Sequence, residues 1–295
     1  MYADLGLKVV AADLDPQANL TFWFLEKEKL EEVWPDEEYP LNILDTMNSI
    51  LEKRGAESHL EFINENIGLV AGNLGLSLFE DKLSDAWLHC LDNDKAAFRL
   101  ISAFYRILLT AAERHKADVV LIDLGANLGA INKAALIAAE YVIIPLVADW
   151  FSLQALQDIG YQLRDWREGW AQRLQKNTDT KLLLPPSKMQ AAGYVIHQHG
   201  IHFKYPMRAS ARWMAPISKT YRQGVLNNLS TVEPHCLSVL RNYRGLMPMA
   251  MDAHKPIFHL KPADGAIGTY AQAVRDCYDD FKQLAINIAN VCAIN

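Results

Sequence analysis

Two carboxylates close the first apolar run of the chain, Lys8-Val-Val-Ala-Ala-Asp-Leu-Asp15, and are followed at once by Pro16-Gln-Ala-Asn-Leu-Thr21. Side chains alternate along a strand, so Asp13 and Asp15 can point the same way. Paired carboxylates repel unless a cation or a donor is near, and magnesium carried with a nucleotide would supply that cation. In open α/β sheets ligands sit beyond the carboxyl ends of the strands, where this pair falls. Taken alone, Asp-x-Asp-Pro reads better as a strand stop with an Asp-Pro turn. A second acid repeats the arrangement. Val119-Val-Leu-Ile ends in Asp123, and Leu124-Gly-Ala-Asn-Leu-Gly129 follows. An aliphatic run ending in Asp before a glycine-containing loop has the form of a Walker B strand and its switch: the acid holds a metal-bound water and the loop senses a terminal phosphate.

The elements that must position these acids alternate between strand and helix. Strands are expected at the first run, at Ile67–Ala71, at Asp118–Asp123 (the clearest buried strand), at Tyr141–Val147 and at Ala191–His197, with a last short one at Ile257–Leu260. Helices are expected at Asn42–Lys53, at the capping-box start Ser77-x-x-Glu80 and on to about Arg114, at Ala130–Ala139, Ser152–Lys176 and Gly268–Ala293. Glu26–Glu38 reads as a solvated helix face and loop. Trp166 and Trp170, four apart, belong to the core. The pattern implies a mostly parallel sheet covered on both faces, in a single domain over 1–295.

The 295 residues are 51% hydrophobic and 22% charged, enough for a sizeable core. The net charge of −6 rules out a chain basic throughout, but not a local nucleic-acid patch. Cys90, Cys236, Cys277 and Cys292 form no C-x-x-C pair and read as reduced, packed thiols rather than zinc or iron–sulfur ligands. No apolar run is long enough for a bilayer, the first residues have no signal-peptide pattern, and a cytoplasmic, nucleoid-associated location is expected. The closing helix lacks the basic flank of a membrane-surface helix, so no membrane partner is expected.

Taken together, the motifs are specific. Leu5–Thr21, Gly72-Asn-Leu-Gly-Leu-Ser-Leu-Phe-Glu-Asp-Lys-Leu-Ser84, Asp123–Pro145, Ala148–Leu156 and Lys261-Pro-Ala-Asp-Gly-Ala-Ile-Gly268 resemble, in order, the ParA/Soj/MinD family of deviant Walker P-loop ATPases, the ParA-type partition proteins in particular. The resemblance implies a P-loop NTPase-type α/β fold, ATP and Mg as cofactors, a homodimer, non-specific DNA binding and a centromere-bound, ParB-like partner. It implies that Asp15 promotes attack of water on the terminal phosphate, and that Asp13 and Asp123 act on Mg through water. Gly125 and Asn127 would form the switch, where the family more often carries proline. His197 would lie near the base, although a core or rim histidine fits that position equally, and Pro262 and Gly265 would form the loop by the adenine. Lys204, Arg208, Arg212, Lys219 and Arg222, with Tyr205, Trp213 and Tyr221 among them and no acid from Ile201 to Arg222, could neutralise DNA phosphates or equally form a solvated helix face.

One departure is large. The family's glycine-rich loop precedes the helix that ends near Gly6, and no G-x-x-x-x-G-K-[ST] occurs in these residues. The resemblance therefore implies a sheet lacking its first strand and phosphate loop, with two inner strand edges exposed, no measurable ATP hydrolysis by this polypeptide, and poor solubility or partial unfolding. A start chosen too far downstream and a true truncation both account for this. A non-enzymatic paralogue that binds DNA or a partner is the alternative function. Reductases and cobyric-acid-type ligases of the superfamily are disfavoured, because paired cysteines and a second substrate site are not found.

Overall fold

The computed structural model describes residues 1–35, 42–52, 59–197, 206–228, 235–243 and 245–294, with backbone only for 206–211. These residues group into two compact units, one built from Tyr2–Glu140 and Trp166–Met189, the other from Tyr141–Asp165 and Gln190–Asn295. The mixed α/β architecture with parallel strands and flanking helices is as expected.

The first unit holds β1 (Val9–Asp13), α1 (Asn19–Phe24), α2 (Lys27–Val33), α3 (Ile43–Leu51), β2 (Glu61–Asn64), β3 (Ile67–Val70), α4 (Glu80–His89), α5 (Lys95–Ile101), α6 (Ala103–His115), β4 (Val119–Asp123) and α7 (Ala130–Ala138). Its sheet runs β2-β3-β1-β4. β1 is parallel to both neighbours and buried along its whole length, which is why it reads as unbroken small aliphatics. On one face Ala11 and Leu69 meet Leu25 and Val33, with Phe24, Leu30 and Trp34 around them. α6 packs on β1, β3 and β4.

Four expectations change here. β4 is not a buried strand. It pairs only with β1 among the described residues, and its side chains are half-buried or exposed, Leu121 by 44%. Aliphatic content alone does not separate a central strand from one at a sheet edge. β2 was not anticipated. It forms an antiparallel hairpin with β3, and its alternating exposure fits a strand with one wet face. The Ser77-x-x-Glu80 capping box does not form. Asn73 caps a 3₁₀ turn at Leu74–Phe79 through the Gly75 amide, Ser77 bonds the Leu74 carbonyl, and α4 starts at Glu80. Glu80 is turned to another partner, described below. The expected strand at Ile257–Leu260 is a 3₁₀ turn over Ile257–His259, entered from Pro256, which has no N–H for a strand ladder.

The tryptophans are core, as expected. Trp170 and Trp166, on α8 (Trp150–Leu174), are 0% and 3% exposed. Trp170 stacks on Trp87 at 6.2 Å and donates its indole N–H to the Pro185 carbonyl. Arg173 covers Trp87 at 3.8 Å, where its buried charge gains both the ring face and the Trp87 and Gly169 carbonyls.

The second unit holds β5 (Tyr141–Val147), the first part of α8, β6 (Gln190–His197), α9 (Pro206–Thr220), β7 (Cys236–Leu240), α10 (Met247–Asp252) and α11 (Thr269–Cys292). Its sheet is parallel, in the order β5-β6-β7. β7 was not foreseen. Val195, Leu237 and Leu240 pack with Phe281, Leu284 and Ile288 of α11. The cysteines are free thiols. Burial pushes those of Cys90 and Cys277 up to about 12, so they are inert packing groups. No described helix is long and apolar enough to cross a membrane.

Candidate functional site

β1 and β4 run parallel in a register that makes Asp13 and Asp123 direct partners, so two strands deliver two carboxylates to one sheet end. The Leu14 amide bonds the Asp123 carbonyl and carries the ladder one residue past both acids. The chain then turns. The Gln17 amide donates to Asp15 Oδ1 at 3.0 Å and the Ala18 amide to the Asp15 carbonyl, with Ala18 at φ 52° before α1. Asp15 is thereby held at the mouth of the sheet end, half-buried.

Asp13 is fully buried, which an aspartate tolerates only with partners. Thr21 supplies two, its amide at 2.8 Å and its hydroxyl at 2.7 Å, both to Oδ2. The same hydroxyl accepts the Gly72 amide at 2.7 Å, and the Gly72 carbonyl accepts the Trp34 indole N–H at 2.8 Å. Gly72 must be glycine, because a Cβ there would lie 2.8 Å from Asp13 Cγ. Among the described residues, Oδ1 of Asp13 is buried with no hydrogen-bond partner.

Burial raises the pKa of Asp13 above the usual carboxylate range against the pull of the Thr21 bonds, and the Asp15 charge adds to the rise. Asp123 is raised as well, by partial loss of hydration and then by the charges of Asp13 and Asp15. The end of the sheet is a focus of negative charge. Such a focus suits a hydrated cation. Among the described residues no three His, Cys, Asp or Glu side chains converge as a metal-ligating group.

The loop after Asp123 lies on this site. A Cβ at Gly125 would be 3.1 Å from Asp15 Oδ1. Asn132 Nδ2 donates to the Gly125 and Asn127 carbonyls, both at 2.6 Å, and Asn127 Oδ1 accepts the Gly129 amide at 2.9 Å. Asp13, Asp15, Asp123, Gly125 and Asn127 therefore share the first unit. His197, exposed at the end of β6, and Pro262 and Gly265, in a 3₁₀ turn closed by Gly265 at φ 92°, belong to the second. Arg212 and Lys219 are exposed on α9. Arg222 is half-buried against the Ser218 carbonyl, and Tyr221 is core, its hydroxyl on the Ala191 carbonyl. Arg208 lies in α9 with its side chain outside the described part, and Lys204 and Tyr205 lie outside the described residues.

Thr21, Gly72 and Asn132 were not singled out from the sequence, and Glu80 only as half of a capping box. Each sits inside a motif segment, but its partner is 7 to 51 residues away, a distance that spacing cannot bridge.

Parallel strands β1 and β4 with acids at their adjacent ends, beside a glycine loop, match the sheet-end arrangement expected of a P-loop NTPase-type α/β fold. A family model described as an AAA domain, AAA_31, matches residues 1–176. The chain belongs to this family, of the ParA/MinD type its motifs led us to expect. It is 29% identical over 155 residues to the uncharacterized protein MJECL24 of Methanocaldococcus jannaschii, covering 52% of this chain and 53% of that one; the chain thus spans about half the length of the curated relative it matches. Protein DIP2308 of Corynebacterium diphtheriae has the same fold at TM-score 0.67, with 19% identity over 98% of this chain and 90% of that one. A putative plasmid partition protein of Borrelia burgdorferi bound to AMPPNP is similar at TM-score 0.55, with 19% identity over 97% and 86%.

Proposed function

We propose that the protein acts as a ParA-type ATPase in plasmid or chromosome partition or in cargo positioning, as one nucleotide-binding domain over 1–295 that dimerises with ATP and binds DNA non-specifically under control of a centromere-bound partner. The observation that carries this reading is the register of β1 on β4, which sets Asp13 beside Asp123 with Asp15 and the Gly125 loop at the same sheet end. Asp15 promotes attack of water on the terminal phosphate. Asp13 and Asp123 would hold the waters of a magnesium ion, which would supply neutralisation of phosphate charge there. Gly125 and Asn127 form the phosphate-sensing loop, while His197, Pro262 and Gly265 serve the base. The AMPPNP bound to the Borrelia relative supports ATP as the ligand class.

These residues contain no phosphate loop, and hydrolysis by this polypeptide alone is expected to be undetectable. The deciding experiment is ATP binding and turnover by the longest open reading frame at the locus, beside its Asp15→Ala variant. Turnover abolished in the variant supports the reading. Neither binding nor turnover in that longest product replaces it with the alternative, a non-enzymatic protein that keeps DNA or partner contacts. For DNA, replacing Arg208, Arg212 and Arg222 by Ala is expected to weaken binding to any duplex and flatten its salt dependence. Unchanged affinity at low salt removes this patch from the account.

A further inference from the structure

The loop 124–129 is held from outside by a side chain to which the sequence motifs give only a capping-box role at α4. Glu80, the first residue of α4, does not cap its own helix. Its Oε1 accepts the Ala130 amide and its Oε2 the Ile131 amide, the latter at 3.1 Å. A carboxylate thus lies across the first two free amides of α7, where the helix dipole and charge-assisted bonds both favour it. The approach needs glycine beside it, because a Cβ at Gly129 would sit 2.9 Å from Glu80 Cδ and closer still to Oε1. Gly129 has φ −79°, which any residue adopts, so its role there is room for Glu80 and not backbone freedom. With Asn132 on the Gly125 and Asn127 carbonyls, the loop is fastened at both ends by its own unit.

We infer that Glu80 is a positioning residue: it latches the start of α7 and so holds the Gly125 loop against Asp15. This rests on the proposed role of that loop, but the latch itself does not require it. The latch is read by amide hydrogen exchange of the whole protein without nucleotide. In Glu80→Ala the Ala130 and Ile131 amides are expected to exchange roughly tenfold or more faster, since each loses a charge-assisted bond. Glu80→Gln, which keeps one acceptor and turns an N–H₂ towards the other amide, should fall between. Gly129→Ala leaves Glu80 in place but pushes it away, and should give the same local change if the Glu80 variants fold poorly. A residue that merely starts α4 would loosen the α4 amides and leave those of α7 alone. That pattern, or unchanged Ala130 and Ile131 protection in Glu80→Ala and Gly129→Ala, overturns the inference. If the longest product hydrolyses ATP, Glu80→Gln is expected to lower kcat about tenfold with KM little changed. Local exchange that responds in a protein without turnover leaves the latch standing and refutes the ATPase reading instead.

Discussion

Replacing Thr21 by Val tests whether the buried acid is held as described. The two side chains are close in shape but not equivalent, because the hydroxyl is lost. In this protein that hydroxyl has two jobs, donating to Asp13 Oδ2 at 2.7 Å and accepting the Gly72 amide at 2.7 Å, in a position with no solvent exposure. A hydrogen bond to a charged group contributes about 1.5–3 kcal/mol net, and a buried N–H left without an acceptor costs about 1–3 kcal/mol. Water cannot repair either loss at a site closed by Trp34 and α1, so Thr21→Val should destabilise by roughly 3–5 kcal/mol at neutral pH. Thr21→Ser keeps both bonds and loses one buried methyl, at about 1 kcal/mol. Urea unfolding monitored by exchange of the β1 amides reads both variants. The cost should shrink towards about 1–3 kcal/mol in acid, where Asp13 is neutral and the Gly72 term remains. A Thr21→Val protein within about 0.5 kcal/mol of wild type at pH 7 would refute the reasoning, and so would a Ser variant as damaged as the Val one.

Other variants test neighbouring claims. Asp13 has a raised folded-state pKa, so the native protein binds more protons than the unfolded chain above the unfolded value of about 4, and Asp13 lowers stability as pH rises from there. The stability of Asp13→Asn, which cannot ionise, should therefore rise relative to wild type as pH increases from about 4 to 7; a pH series of thermal melts on both proteins checks the sign. Gly160→Ala should destabilise by about 2 kcal/mol or more despite better helix propensity, because the new Cβ would lie 2.6 Å from the Gly224 carbonyl carbon, which is backbone; a gain in melting temperature would contradict this. Arg173→Met should cost about 2–4 kcal/mol and shift tryptophan emission, since the guanidinium both covers Trp87 and bonds its carbonyl; equal stability would show that the cation–π stack is not needed.

The one-dimensional pattern carried much of this protein. Aliphatic runs ending in Asp marked β1 and β4, and the alternation of strand and helix marked a parallel α/β fold, because buried parallel strands and amphipathic helices leave periodicities that survive without neighbours. The tryptophan spacing marked core for the same reason. Three things depended on the tertiary structure. The exposure of β4 was hidden, since an edge strand and a central strand can share the same aliphatic composition and differ only in what lies beside them. The strand β2 was hidden because a four-residue hairpin arm has too short a period to register. The third is the set of side chains that hold the acids and the loop in place. Thr21 and Gly72 around Asp13, and Glu80 and Asn132 around the Gly125 loop, are joined by hydrogen bonds between different elements, over 7 to 51 residues of sequence. Ser77-x-x-Glu80 shows why local rules miss such links. The motif satisfies a capping box, but Glu80 finds two backbone donors on α7, and two charge-assisted bonds outweigh one local cap. The sequence by itself determined which acids stand at strand ends. The register of β1 on β4 decided that Asp13 and Asp123 stand together, because parallel pairing is set by the packing of whole strands and helices and not by the residues at their tips.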